Sequence, residues 1–431
     1  MKASGLTFKL LLAAMALGTA WAVRGQFGHE HGAAWAGGIG VLTILVLAKR
    51  QDWYKRLPAI VALGAIGWGV GGMMSYGMVV GYGRGVDMLN VSYGLLGLFI
   101  IGGLYGFIGG GLTGLSLAST EEKKVSWASL ITQMVAGGYL IWGILIYQFE
   151  WLMTPPRSEL WAACLGAALA LGWYAYRKQY NSSLKVALFS GLGAGFGFAF
   201  GNFLQVLGST TDIAFNWWNV MEYTLGFFGG LGMAYGIFSE EWPESPLPDK
   251  IANRIGWIFL IFLLPLTNII QAFSYEKLLG RAENLGVSYP AALINLQYGL
   301  IWGSLIVLGI FIFWYYRKQV ANIKTWSNQE GLLLCLLYLG WYIILSNVMG
   351  ANWLNGGELK EYLYWVNLLL IGLGISFSFK MEADQSLYQP SFTLWFRLLS
   401  GVFVLIFVLS LILVNIHTDL PGAQTRFVIW E

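Results

Sequence analysis

Long apolar stretches alternate with short polar ones along the whole chain. Most of them have the roughly 17 to 25 residues that an α-helix needs to cross a ~30 Å hydrocarbon core. The pattern predicts an all-α polytopic membrane protein with about 13 transmembrane helices. The predicted spans are 8–23, 32–49, 58–80, 93–117, 127–148, 159–176, 185–207, 219–238, 255–273, 292–316, 330–349, 361–379 and 393–416.

The pattern also repeats. Segment 173–179 ends the sixth span with the same aromatic-basic sequence type as 313–319, which ends the tenth. Anchoring at the membrane interface is an independent explanation for such ends. We predict three tandem parallel four-helix repeats plus a C-terminal helix, because an even number of spans keeps the orientation of each copy. The units are 1–120, 121–245 and 250–381, and the extra transmembrane helix is 393–416.

Basic residues predict the orientation. They concentrate in the loops that follow even-numbered spans, such as Lys49, Arg50, Lys123 and Lys124. The positive-inside rule then places the N-terminus in the cytoplasm and the C-terminus outside, and we expect a bacterial inner (cytoplasmic) membrane. The first apolar run also resembles a signal peptide with a small-residue cleavage site at 20–22. We interpret it as a retained first span, because the first repeat needs that helix.

Composition supports lipid as the main solvent. Hydrophobic residues make up 57% of the chain and charged residues 11%, with a mean hydropathy of +0.62, whereas soluble domains carry about 25% charged residues. The net charge of +3 is small and spread over loops, so we expect membrane lipid and a small-molecule substrate as partners and no nucleic acid. The 57 glycines favour close helix packing. Cys164 and Cys335 lie in apolar spans and predict buried thiols.

Polar chemistry concentrates in the loop between the first two spans. Ionisable groups near the membrane are costly unless they face protein or water, so they favour a functional site. Asp87 before the fourth span and Glu222 one turn into the eighth share the predicted outer side. The alternative for Glu222 is a purely structural role, because an acid near a helix N-terminus is stabilising. The predicted substrate-binding residues are Arg24, Gln26, His29, Glu30, His31, Asp87 and Glu222.

A metal site is a weaker alternative. Imidazole and carboxylate groups suit Zn²⁺, and the predicted topology places His29, His31, His417 and Asp419 on one side of the membrane. Histidines two residues apart share a direction on an extended segment but diverge on a helix. A third interpretation is that these groups cap the second helix and meet lipid headgroups. No sequence pattern assigns a cofactor.

Two functions from different classes fit these features. The first is a transporter or channel for a small sugar-like, amphipathic or weakly anionic solute, through a cavity between the three repeats. The second is a membrane-embedded transferase or hydrolase of a lipid-linked or carbohydrate substrate at the outer face. In that case Glu30 or a histidine would be the general base and Arg24 would bind phosphate or carboxylate. The repeats favour transport, and the dense polar loop in the first unit alone favours catalysis.

Overall fold

The computed structural model describes residues 3–322, 326–354, 358–381, 391–418 and 420–427, and these residues form helices and connecting turns without a β-strand. Two helices contain π-helical segments, at Gly143–Gln148 and at Phe259–Leu263. The α-helices are α1 (Ala3–Arg24), α2 (Glu30–Ala48), α3 (Gln51–Tyr54), α4 (Leu57–Gly71), α5 (Gly77–Tyr82), α6 (Met88–Ala118), α7 (Trp127–Trp142), α8 (Trp161–Arg177), α9 (Asn181–Ser209), α10 (Trp217–Phe238), α11 (Lys250–Ile258), α12 (Leu264–Ala272), α13 (Tyr275–Asn284), α14 (Pro290–Asn322), α15 (Asn328–Gly350), α16 (Leu359–Ser378) and α17 (Phe392–Ile416).

Among the described residues, ten helical stretches are long and apolar enough to cross a membrane. This confirms an all-α membrane protein. Every predicted span overlaps helix, and the helices α4, α8 and α10 are outside this group of ten. α4 has 15 residues and α8 has 17. α10 is long enough, yet its sequence includes Asn219, Glu222 and two tryptophans, which lower its hydropathy.

The predicted continuous span 58–80 is wrong in one respect, because the helix is broken. α4 ends at Gly71, an irregular segment follows, and α5 begins at Gly77. The break lies where the start of α2 comes very close: a Cβ on Gly72 would collide with the His29 carbonyl and the Glu30 Cα. This irregular segment carries Tyr76 into the protein interior, where its exposed fraction is 5%.

The other helices pack around α9 and α1. α9 lies between α6 and α10, and α1 contacts α2, α10, α15 and α16. Glycines allow the close approaches: a Cβ on Gly197 would lie 2.6 Å from the Thr224 carbonyl oxygen, and one on Gly226 would lie 2.6 Å from the Leu17 carbonyl oxygen. The glycine faces are therefore packing surfaces, as expected for helices in lipid. Cys164 and Cys335 are free and buried, as predicted.

Candidate functional site

The centre of the site is Arg24, the last residue of α1, whose exposed fraction is 2%. Its Nη1 donates to Glu222 Oε2 at 3.0 Å and to the Tyr76 hydroxyl at 3.1 Å. The Tyr76 hydroxyl in turn donates to Glu222 Oε1 at 2.8 Å. The three side chains thus form a closed, buried triangle that joins α1, α10 and the irregular segment before α5. Each charge in it has an opposite charge or a hydroxyl as partner, which a buried ion pair needs.

Aromatic rings form the inner wall of this triangle. The Arg24 guanidinium carbon lies 5.0 Å from the centre of the Trp21 ring, within the range of a cation–π contact. The Trp21 ring packs edge-on against Trp68 and Tyr105, with ring centroids 5.1 and 5.2 Å apart. These three rings are fully buried. They cover the triangle on the side that faces α4 and α6.

Backbone contacts hold the end of α1 in place. Asn219 Nδ2 donates to the Ala22 carbonyl oxygen at 2.9 Å, and the Tyr364 hydroxyl donates to the same oxygen at 3.3 Å. The last carbonyls of a helix have no partner within the helix, so these two side chains satisfy a group that would otherwise be orphaned. Since they come from α10 and α16, they fix the direction in which Arg24 leaves α1.

The turn between α1 and α2 depends on glycine at two positions. Gly28 has φ = +87°, a conformation that side chains with a Cβ rarely adopt. At Gly32 a Cβ would lie 2.8 Å from Arg24 Cγ and 3.3 Å from the Tyr342 hydroxyl. Gly32 therefore leaves room for the Arg24 side chain to pass beneath the start of α2.

His29 lies next to the triangle, in the exposed turn before α2. Its ring packs edge-on against Tyr76, with centroids 4.9 Å apart, and its Nδ1 is 3.4 Å from Arg24 Nη2. A guanidinium only donates hydrogen bonds, so Nδ1 is the acceptor and the neutral ring carries its proton on Nε2. Burial lowers the pKa of His29, and the positive charge of Arg24 lowers it further. The residue as a whole remains exposed at the surface.

The lowered pKa of His29 predicts an acid-dependent loss of stability. The unfolded chain binds a proton near pH 6.5, whereas the folded chain does so at lower pH. The contribution of the neutral ring is therefore complete above about pH 6.5 and is lost as the pH falls below it. We expect the melting temperature of the wild type to fall relative to His29→Gln as the buffer is acidified from about pH 7 to 5. Parallel melting curves at every pH would contradict this assignment.

Glu30, Gln26 and His31 occupy the same turn but make other contacts. Glu30 Oε2 accepts from Gln271 Nε2 at 3.4 Å. Both amide atoms of Gln26 are buried without a hydrogen-bond partner among the described residues. His31 lies inside α2, where its carbonyl oxygen accepts from Asn268 Nδ2 at 3.0 Å. His29 and His31 are thus on helical backbone, the case in which their side chains diverge.

Two predicted residues have their described contacts elsewhere. Asp87 caps the N-terminus of α6, where Oδ1 accepts from the backbone and side-chain nitrogens of Asn90, both at 2.9 Å. His417 follows α17 and its Nδ1 is 2.7 Å from the Thr418 oxygen. Asp419 lies outside the described residues. Across the described chain, no group of three or more His, Cys, Asp or Glu side chains is placed to hold a metal ion.

Comparison with known proteins assigns no family to the chain. No family model matches it, and neither a curated protein nor a solved structure shows significant similarity. The helices and their apolar character define the class, an all-α integral membrane protein.

Proposed function

We propose that the protein is a membrane transporter for a small solute that binds from the outer side at Arg24, Tyr76, Glu222 and His29. The observation that carries the proposal is the buried Arg24–Glu222 pair, with exposed side-chain fractions of 2% and 8%. Ionisable groups at such positions in membrane proteins usually mark a substrate or ion pathway.

The chemistry of the site favours a sugar-like, amphipathic or weakly anionic solute. Arg24 and Glu222 neutralise each other, so a strongly charged solute would meet little net charge. The buried amide of Gln26 and the Trp21 Nε1 have no hydrogen-bond partner in the described part of the chain. These groups carry three N–H donors and one acceptor oxygen, which suit hydroxyl-bearing solutes.

The predicted membrane arrangement belongs to this proposal. In it, 13 spans form three parallel units, 1–120, 121–245 and 250–381, followed by 393–416. The N-terminus is cytoplasmic, the C-terminus lies outside, and the membrane is the bacterial inner membrane. Arg24, Tyr76 and Glu222 then lie near the outer ends of their helices. A solute entering between the units from outside would reach this triangle first.

Transport of a bound solute is the decisive test. Purified protein in detergent would be screened by thermal shift against hexoses, polyols, small monocarboxylates and inorganic phosphate, and a stabilising solute tested for uptake into proteoliposomes. We expect Glu222→Gln to reduce uptake by at least about tenfold, because a charge-assisted hydrogen bond is worth more than ~1.4 kcal/mol.

Glu240→Gln is the matched control for this test. Glu240 follows the other end of α10 and pairs with Lys185 at 2.7 Å, with an exposed side-chain fraction of 8%. It is therefore a similarly buried carboxylate in an ion pair away from the triangle. Its uptake should stay within about threefold of the wild type. Equal losses in both variants, or no uptake of any stabilising solute by the wild type, would reject the proposal.

A second function has a specific observation in its favour. An apolar groove of about 510 Å³ between α4, α6, α7 and α8 includes Val70 and Met73, next to the irregular segment that carries Tyr76. Such a groove would hold the acyl or prenyl chain of a lipid-linked substrate while His29 or Glu30 acts as a base at the outer face. Chemical conversion of a lipid-linked substrate without solute uptake would favour this enzyme over the transporter.

A further inference from the structure

The segment 420–427, which we call the C-terminal strap, folds back onto α5 and the first turns of α6. The Gln424 backbone nitrogen donates to the Gly81 carbonyl oxygen at 3.0 Å, which ties the strap to α5. The Phe427 ring packs edge-on against Tyr93 of α6, with centroids 5.4 Å apart. The strap therefore adds a second connection between α5 and α6, which also pack directly on each other through Val79 and Tyr82.

Asn90 is the main receptor for the strap. Its exposed fraction is 2%, and its Oδ1 accepts from the backbone nitrogens of Arg426 and Phe427 at 2.6 and 2.8 Å. Its Nδ2 donates to the Phe427 carbonyl oxygen at 3.0 Å and to Asp87 Oδ1 at 2.9 Å. One buried amide thus makes three hydrogen bonds to strap backbone, and Asp87 orients it.

The Arg426 side chain adds a third attachment. Its Nη2 donates to the Leu152 carbonyl oxygen at 2.7 Å, in the loop between α7 and α8. Its guanidinium also lies beside the hydroxyls of Tyr82 and Tyr93. The strap therefore connects α5, α6 and the α7–α8 loop on one face of the protein.

We propose that the strap is a latch that holds α5 in place and thereby sets the position of Tyr76 in the Arg24–Glu222 triangle. Tyr76 directly precedes α5, and its carbonyl oxygen accepts from the Val80 nitrogen at 3.0 Å, so movement of α5 carries Tyr76 with it. α5 has six residues, too few to be stable by itself. Release of the strap frees α5 and withdraws the Tyr76 hydroxyl from the two charges.

Hydrogen exchange at α5 tests the latch directly. Asn90→Ala removes three hydrogen bonds to the strap, and we expect exchange of the 79–82 amides in the full-length protein to accelerate by at least about tenfold. Exchange in the middle of α10 should not change. Asn415→Ala is the control, because Asn415 lies near the end of α17 and bonds to the Leu411 carbonyl of its own helix. Unchanged α5 exchange in Asn90→Ala would overturn the latch.

A disulfide between the strap and α5 distinguishes loss of the strap from a direct effect of the Asn90→Ala substitution on α6. A Cβ at Gly81 would lie 3.1 Å from Gln424 Cβ, a little closer than the roughly 3.5–4.5 Å of a disulfide, and 2.9 Å from the Gly422 carbonyl oxygen. A small outward shift of the strap backbone therefore accommodates the cross-link. Gly81→Cys with Gln424→Cys would be combined with Asn90→Ala in a background lacking Cys164 and Cys335. Oxidation should restore slow exchange in α5, and reduction should abolish it. Fast exchange in the oxidised protein would overturn the latch in favour of a local effect on α6.

The link between the strap and solute entry rests on the proposed function. The reactivity of His29 towards diethyl pyrocarbonate reports on Tyr76 without any solute, because the two rings are in contact. It should rise at least about threefold in Asn90→Ala and return in the oxidised cross-linked protein. A change in α5 exchange without a change at His29 would overturn the link to Tyr76. Failure of solute uptake alone would affect only the transport proposal.

Discussion

Arg24→Ala is expected to lower the free energy of unfolding by roughly 3–5 kcal/mol, because it leaves the Glu222 carboxylate buried without its charge partner. Only the Tyr76 hydroxyl would remain to donate to Glu222. A single hydroxyl donor does not neutralise the buried negative charge as the guanidinium does. Chemical unfolding of the purified protein in a mild detergent measures the change.

The double variant Arg24→Met/Glu222→Leu should recover most of this loss. Replacing both partners of a buried ion pair by apolar groups of similar size is often neutral or stabilising. We therefore expect the free energy of unfolding of the double variant to lie within about 1–2 kcal/mol of the wild-type value. The double variant should nevertheless lose solute uptake completely. Stability losses that simply add would show that the two residues are not coupled in the folded protein.

Gly106→Ala is expected to have the second largest effect. The new Cβ would collide with the Ser190 carbonyl oxygen and lie 2.8 Å from Ala194 Cβ, so α6 and α9 would have to separate. Overpacking of this kind typically costs about 1–3 kcal/mol. The decrease outweighs the gain in helix propensity from alanine, which is about 1 kcal/mol or less. Thermal unfolding and the yield of folded protein measure it.

Gly299→Ala is the matched control for the glycine prediction. Gly299 is also in a helix, α14, but a Cβ there meets nothing within 4 Å. Its melting temperature should be unchanged or slightly higher. A similar loss of stability in both variants would mean that backbone flexibility, and not the α6–α9 contact, is what the glycines provide.

The sequence predicts the helical segments well, because their apolar length is a local property. It also predicts Arg24 and Glu222 as candidate site residues, since a charged residue in an apolar helix stands out. It does not predict that the two pair. They are 198 positions apart, and nothing in the pattern of either helix specifies that α1 packs on α10. That contact arises from glycine faces, which many helices in this chain share.

Tyr76 illustrates what sequence reasoning misses. A tyrosine in an apolar run normally anchors a helix at the interface, so its hydroxyl carries no distinct signal. The available clue is that the small residues Ser75 and Gly77 flank the tyrosine inside a predicted span. The break that turns Tyr76 inward depends on the backbone of His29 and Glu30, which is distant in sequence. The sequence predicts Asp87 as a substrate ligand, but its side chain caps the N-terminus of α6 by accepting from the Asn90 backbone nitrogen.

The contact between α1 and α10 also restricts how the protein can move. Gly226 packs on Leu17 and Trp21, while one turn away Glu222 holds Arg24. Sliding one helix along the other by a single residue, about 1.5 Å, would push a side chain into the space left free at Gly226. The same movement would separate Arg24 from Glu222. The two helices should therefore travel as one rigid body. We therefore expect the site to open by movement of the short helix α5, whose contacts with α6 and with the strap would have to loosen.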